Sequence, residues 1–364
     1  MRVLLLVTDA FGGYGGIALY NRDLAEAIAL MPEVTEVVVV PRIQRFEAEA
    51  IPPKVRNVSA ALGGKLRYAR TSWALAGEDF DLLVCGHINL LPLAMLMKLR
   101  LRTPMALMVY GIDVWDAPGP LHRACMSAVD AVWTISAITR DKMNVWAQLP
   151  EARYKLLPNA IHLDRYAAGP KPQYLLDRYG LHGATVLLTV ARLPGRERYK
   201  GVDEIMTLLP TLLAQDPTVR YLVAGDGDDR SRLQAKAKQL SIDDKVVFAG
   251  MIDETEKADH FRVADVFVMP GRGEGFGFVF LEALACGIPA VGSRLDGSRE
   301  ALRDGALGAL VDPTNPRSIE QGIAEARTRA RGVPEGLSYF AWPAFCERVA
   351  EAVHGAPTAQ RTSA

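Results

Sequence analysis

Four cysteines in 364 residues, Cys85, Cys125, Cys286 and Cys346, stand far apart with no C-x-x-C pair among them. That spacing offers neither a disulfide framework nor a thiolate metal site, and it reads as four small buried hydrophobes. An excess of charge is also missing, since 42 Lys and Arg meet 42 Asp and Glu. The electrostatic footprint of a general nucleic-acid binder is therefore absent. Long apolar runs are absent as well: LLPLAMLM at 90–97 falls far short of the ~20 residues of a membrane span. The opening MRVLLLVTDAFGG carries one Arg and meets Asp9 too early for a secretory leader. A cytoplasmic protein is the expectation. An apolar share of 49% with 23% charged residues excludes a disordered or collagen-like chain, and the length suggests two domains.

What is present is an alternation of short apolar runs with helical patterns. VLLLV (3–7) precedes IALYNRDLAEAIALM (17–31), where Ile17, Tyr20, Leu24, Ile28 and Met31 keep helical spacing. VVVV (37–40), DLLVC (81–85), MALMVY (105–110), AVWTIS (131–136) and a last strand beginning at Leu156 complete a first series. TVLLTVA (185–191), RYLVAGDG (220–227), VVFAG (246–250), DVFVMPG (265–271), PAVGS (289–293) and GALV (308–311) form a second. Apolar runs separated by helices imply parallel sheets of βαβ units. The fold expected is α/β, with two Rossmann-like doubly wound domains facing an interdomain cleft. The boundaries expected are 1–163 and 164–336, joined through the Pro- and Gly-rich 158–173, with a C-terminal helix at about 337–356 packing back across. Open sheets of this kind bind ligands beyond the carboxyl ends of their strands.

Three segments could carry chemistry. GGYGG (12–16) lies between the first strand and the first helix. Its glycines permit close backbone approach and the helix start attracts anions, although a merely flexible loop reads equally from the residues. ARLPGRERYKG supplies Arg192, Arg196, Arg198 and Lys200 ahead of a helix. These cations suit a diphosphate, or form a solvated basic loop. In MPGRGEGFGFVFLEALACGIPAV (269–291), N–H groups at Gly275, Phe276, Gly277 and Phe278 would face a phosphate at a helix start. Glu282 sits within the apolar FVFLEALA, where a buried carboxylate asks for partners: sugar hydroxyls, or else a structural Arg.

Two Glu residues in EGFGFVFLE, continuing ALACGIPAV, resemble the signature of glycosyltransferase family 4, whose members are retaining, nucleotide-sugar-dependent enzymes of GT-B fold. ARLPGRERYKG resembles that family's donor loop, and LLPNAIHLDRY its interdomain crossing. YLVAGDGDDRSRL, VVFAGMIDE, ADVFVMPG and DGSREALRDGALGALVDP follow in the expected order. The resemblance covers the second domain and is weaker in the first. It implies a retaining transfer of a hexosyl unit from a UDP- or GDP-sugar to a glycan or lipid-linked acceptor, in the biosynthesis of cell-surface polysaccharide, lipopolysaccharide or glycolipid. It implies no cofactor and no metal. Arg192 and Lys200 would hold the donor diphosphate and stabilise the leaving group, and Glu274 would contact donor-sugar hydroxyls. The amides of Gly275, Phe276, Gly277 and Phe278 would lie close to sugar and phosphate. Glu282 would bind ribose hydroxyls, and Gly15 and Gly16 would approach the phosphates from the first domain. No side chain is an evident nucleophile, which suits front-face attack with the diphosphate accepting the acceptor's proton.

Two departures from the family pattern stand out. A strand-end His common in the family is replaced in MVYGIDVW by Tyr110, which leaves Tyr110, His87 in VCGHINL and Asp113 as catalytic or cleft candidates. The spacing from Arg192 to Lys200 is also slightly long, so which of Arg196, Arg198 and Lys200 meets phosphate stays open. Within 42–77, Arg42, Arg45, Lys54, Arg56, Lys65, Arg67 and Arg70 outnumber Glu47 and Glu49, and Lys98, Arg100 and Arg102 follow the apolar 90–97. Such a band reads either as solvated helix faces or as peripheral contact with an anionic membrane or diphosphate-lipid acceptor. The alternatives are a nucleotide-sugar epimerase of similar fold and a non-catalytic nucleotide-sugar-binding protein. A dinucleotide-dependent dehydrogenase is the remaining α/β alternative, and the loop's glycine spacing and Arg42 in place of an acidic residue speak against it.

Overall fold

A computed structural model describes residues 1–48 and 50–356. Contacts divide the chain into two units, Met1–Ala160 with the segment from Trp342 onward, and Ile161–Ala341. The first crossing therefore falls just ahead of the expected 163, and the second after the expected 336.

The first unit is built on seven strands: β1 (Arg2–Val7), β2 (Glu36–Pro41), β3 (Val55–Asn57), β4 (Leu82–Cys85), β5 (Met105–Val109), β6 (Ala131–Thr134) and β7 (Tyr154–Leu156). All pair in parallel, in the order β3-β2-β1-β4-β5-β6-β7. Its helices are α1 (Gly16–Leu30), α2 (Lys65–Leu75), α3 (Leu91–Leu101), α4 (Ile112–Trp115), α5 (Pro120–Cys125) and α6 (Ala137–Ala147). Leu4, Leu5, Leu6 and the valines of β2 are wholly buried, as strands covered on both faces must be. β3 has no apolar run to announce it. Its VRN is an edge strand registered by Val37 against Val55 and tied down by Arg56 to Glu36 and Glu78.

The second unit carries α7 (Gln173–Tyr179), β8 (Thr185–Val190), α8 (Val202–Gln215), β9 (Val219–Ala224), α9 (Arg230–Gln239), β10 (Val246–Gly250) and α10 (Lys257–Val263). It continues with β11 (Val266–Met269), α11 (Phe278–Ala285), β12 (Ala290–Ser293), α12 (Ser298–Ala301), β13 (Ala309–Val311) and α13 (Pro316–Thr328). The strand order is β10-β9-β8-β11-β12-β13, again all parallel. Each sheet reverses direction of growth once, between β1 and β4 and between β8 and β11. Helices on opposite faces diverge at such a reversal, which opens a crevice at the carboxyl ends of those two strands.

The expected single helix at 337–356 is corrected. A 3-10 turn at Glu335–Phe340 closes the second unit, Ala341 is extended, and α14 (Trp342–His354) belongs to the first. Pro343 explains the break: it has no N–H to donate and its ring clashes with a preceding turn, so it fits the first turn of a helix and not its interior. α14 packs on α1, with Phe345 edge-on to Tyr20 and His354 bonded to Glu33.

Gly225, closing β9, fixes how close the next turn comes to the strand-end loop of β8. Its φ is +137°, and a Cβ there would lie 1.8 Å from the carbonyl oxygen of Ala191. Gly225→Ala is expected to lower unfolding free energy by about 2–4 kcal/mol through clash and strain. Urea denaturation followed by circular dichroism measures it, and a loss within error of zero would show that the approach can relax.

Candidate active site

In the second unit the chain leaves β8 at Ala191 and runs directly into the basic loop. The loop is held from below by the acidic turn that follows β9: Leu193 N–H donates to the Asp226 carbonyl at 2.9 Å and Asp229 N–H to the Leu193 carbonyl at 3.0 Å. Gly195 N–H donates to Asp228 Oδ1 at 2.7 Å. Arg198 is drawn onto this support, its Nε 3.2 Å from the buried Asp229, which Arg232 also grips at 2.6 Å. Arg198 is thereby separated in role from the other three cations of the loop. Arg192, Arg196 and Lys200 gather around one carboxylate, Glu197, at 3.0, 4.0 and 3.7 Å.

The glycine-rich turn after β11 meets this cluster. Lys200 Nζ lies 3.6 Å from Glu274 Oε2. Arg272 N–H donates to the Tyr199 carbonyl at 2.8 Å, which ties the turn to the loop through backbone. The far side of the turn is clamped by the loop after β12: Glu274 N–H donates to Asp296 Oδ2 at 3.0 Å, and Gly297 N–H to the Glu274 carbonyl at 2.7 Å. Burial, opposed by the Ser298 hydroxyl, raises the Asp296 carboxyl to about 6. Gly277, at φ +94°, precedes α11, and a Cβ there would press on the Phe280 ring at 2.7 Å. Among the described residues no acceptor takes the N–H groups of Gly275, Phe276, Gly277 or Phe278. Free amides at a helix start are suited to an anion.

Glu282 lies outside the ion-pair cluster. Its Oε1 accepts from Lys257 Nζ at 2.6 Å and from the Tyr166 hydroxyl at 2.8 Å. The partner on the chain is thus a Lys and a Tyr, where the sequence allowed an Arg. Burial, then the Glu282 charge, push the Tyr166 pKa far up, so the hydroxyl remains a donor. Glu282 Oε2 is buried with no partner among the described residues. A buried carboxylate oxygen with nothing donating to it costs free energy that a ligand hydroxyl would recover.

The first unit presents its candidates at the ends of β1, β4 and β5. Gly15, at φ +98°, precedes α1 and Gly16 begins it, with open space where a Gly15 Cβ would point. The Tyr110 hydroxyl donates to Asn21 Oδ1 at 2.6 Å, and burial keeps it protonated. The ring sits edge-on to Tyr20. Asp113 accepts from Tyr110 N–H at 3.1 Å, and burial lifts its carboxyl to about 7. His87 Nδ1 accepts from Asn89 N–H at 3.1 Å, which leaves the proton on Nε2. The four cysteines carry free thiols.

Asn21, Glu197, Lys257, Tyr166 and Asp296 went unnoticed in the sequence. Glu197 alone had a signal, as an acid inside a cationic loop. The others are brought in by elements remote in sequence.

Burial, then the Arg42 charge, hold His87 at about 4, against 6.5 for a free ring. A depressed pKa means that the unfolded chain takes up the proton first. The neutral ring's contribution is intact above pH 6.5 and is lost as pH falls from there through about 4. An NMR titration is expected to leave the His87 ring signals unmoved between pH 8 and roughly 5. A midpoint near 6.5 would refute this environment.

Comparisons with known proteins bear on the family and the fold. The family described as Glycosyl transferases group 1 matches residues 179–329. A GDP-mannose-dependent alpha-(1-6)-phosphatidylinositol monomannoside mannosyltransferase of Mycolicibacterium smegmatis is 32% identical over 287 residues, covering 72% of this chain and 74% of that protein. A phosphatidyl-myo-inositol mannosyltransferase of Mycobacterium tuberculosis is 27% identical over 344 residues, covering 88% and 84%. Among solved structures, HepE of Anabaena in complex with UDP superposes with a TM-score of 0.76 at 19% identity, covering 97% of this chain and 100% of that one. Sucrose-phosphate synthase of Thermosynechococcus elongatus does so with a TM-score of 0.76 at 19% identity, covering 97% and 98%. The fold is GT-B, and these transferases lend the epimerase reading no support. With the sequence shared over nearly three quarters of both chains, the protein belongs to the group 1 glycosyltransferases.

Proposed function

We propose that this glycosyltransferase moves a mannosyl unit from GDP-mannose to a lipid-linked acceptor, with retention at the anomeric carbon and without a metal. The observation that carries the reading is the cluster at the ends of β8 and β11, where Arg192, Lys200 and Glu274 stand beside unpaired amides at the start of α11. As the glycosidic bond lengthens, negative charge grows on the departing diphosphate. Fixed cations and amides stabilise that charge without reorganising. In this reading Arg192 and Lys200 take the phosphates. Glu274 accepts hydrogen bonds from the donor sugar, and Gly275, Phe276, Gly277 and Phe278 donate to sugar and phosphate. The open oxygen of Glu282 accepts from ribose hydroxyls. The acceptor hydroxyl attacks from the side of the leaving group and passes its proton to the diphosphate. Tyr110 stays a protonated phenol and His87, with its depressed pKa, is a poor base, so the part given to them here on the acceptor is hydrogen bonding. Mannose and guanosine come from the name of the relative that is 32% identical.

A donor panel tests this. GDP release from GDP-mannose is expected, unaffected by EDTA, with product NMR reporting an α-linkage. Lys200→Ala is expected to lower kcat/KM by roughly 10²–10³-fold. Turnover of no nucleotide sugar, or a Lys200→Ala variant with full activity, would refute the reading.

The lipid acceptor implies a surface that meets a bilayer. Among the described residues, no helix is long and apolar enough to cross one. α2 and α3 contain no carboxylate and expose Leu66, Trp73, Leu96 and Leu99 beside Lys65, Arg67, Arg70 and Arg100. Arg100 lies over the Trp73 ring at 5.1 Å. Within the basic band, Arg56 and Lys98 are already paired, Lys98 with Asp130 at 2.5 Å, and are not part of this face. Such a face suits anionic headgroups peripherally. Co-sedimentation is expected with phosphatidylglycerol vesicles, not with phosphatidylcholine ones, and is expected to weaken in a Leu66→Ser, Leu99→Ser double variant. Failure to bind phosphatidylglycerol vesicles at low salt would refute it.

A further inference from the structure

We infer that Glu197 is a built-in counter-anion for the donor diphosphate, occupying the cations of the loop in the free enzyme and yielding them when the diphosphate binds. This rests on the assignment of Arg192 and Lys200 to that diphosphate.

The geometry is that of a small anion already in place. Glu197 is only 9% exposed, while Arg192, Arg196 and Lys200 surround it from the same short loop. Arg192 Nη2 reaches both of its oxygens, at 3.0 and 3.3 Å. Two oxygens on one carbon thus stand among three cations, much as two oxygens of a phosphate would. Without a negative charge there, three like charges so close together would repel one another and splay the loop.

The contacts are also loose where a structural pair in the same unit is tight. Arg232 holds Asp203 at 2.5 and 2.9 Å. Lys200 by contrast lies 3.7 Å from Glu197 and 3.6 Å from Glu274, and Arg196 lies 4.0 Å from Glu197. Charge-assisted hydrogen bonds settle near ~2.8 Å, so these longer pairs keep electrostatic attraction without committing donor protons. Lys200 therefore has N–H groups to turn toward a ligand, and Arg192, half exposed, can exchange one oxygen pair for another. Arg198 is excluded from this exchange by its hold on buried Asp229.

Two consequences follow for the reaction. The donor gains only the difference between its own interaction with the cations and that of Glu197, so donor binding is weaker than bare cations would give. The same competition assists the departure of the nucleoside diphosphate after transfer, because Glu197 can reclaim Arg192 as the product leaves.

The test compares wild type with Glu197→Gln, which keeps the shape and a carbonyl oxygen for Arg192 while removing the charge. Isothermal titration calorimetry with GDP and with inorganic pyrophosphate, at low and high salt, reads the effect. Both probes are expected to bind the variant roughly three- to tenfold more tightly at low salt, the difference shrinking at high salt. KM for the donor is expected to fall without a rise in kcat. Affinity unchanged or weakened in Glu197→Gln would overturn the inference, and weakening would assign Glu197 to positioning Arg192 instead. Should that variant not fold, Glu197→Asp, which withdraws the carboxylate by one methylene, is expected to tighten pyrophosphate binding to a smaller extent, and a loss of affinity there overturns it equally. Wild type that binds neither probe would refute the donor assignment of Arg192 and Lys200, and this inference with it. Wild type that binds both, with no gain in the variant, would refute this inference alone.

Discussion

Concentrating positive charge at the end of one strand, without letting it repel itself apart, is the constraint on which the second unit depends. Four cations lie between Arg192 and Lys200, and acids from three places meet them. Asp229 of the turn after β9 takes Arg198, Glu197 within the loop takes Arg192, and Glu274 of the turn after β11 shares Lys200. Those acids hold the cations together at the end of β8. Preorganised charge of this kind is worth more in catalysis than the same charge on a mobile loop, because no reorganisation is needed as the leaving group forms.

The backbone makes this arrangement possible. β8 and β11 are neighbours in space although three strands apart in sequence order, and the sheet reverses its growth between them. The loops that leave their carboxyl ends are therefore side by side, and glycines at 225 and 277 let the surrounding chain close on them. β1 and β4 stand in the same relation in the first unit, and the loops carrying Gly15, Gly16 and His87 leave from there. The same plan is used twice, and in the second unit the reversal carries the cluster of cations and acids.

Much of this was legible in the residues. Strands buried on both faces write themselves as apolar runs, so β1, β2, β8 and β11 could be read directly. β3 could not, because an exposed edge strand of three residues needs no apolar pattern and is held by its register with β2 and by Arg56. The C-terminal helix starts later than its aromatic-rich pattern suggests, because Pro343 suits the first turn of a helix and not its interior. Glu282 was legible as a buried carboxylate in need of partners. That its partners are Lys257 and Tyr166, and that they satisfy only one of its oxygens, was not.

The sequence by itself determined the fold class, the two domains, the motif-bearing loops and the chemical types gathered in the loop after β8. These follow from periodicity and spacing, which are properties of neighbours along the chain. Only the tertiary structure decided which cation faces which anion. Arg196, Arg198 and Lys200 are equivalent as letters in ARLPGRERYKG, and they were separated by Asp229, 31 positions beyond Arg198, and by Glu274, 74 positions beyond Lys200, whose approach depends on strand order. Charge pairing is a matter of distance in space, and distance in space is set by the sheet.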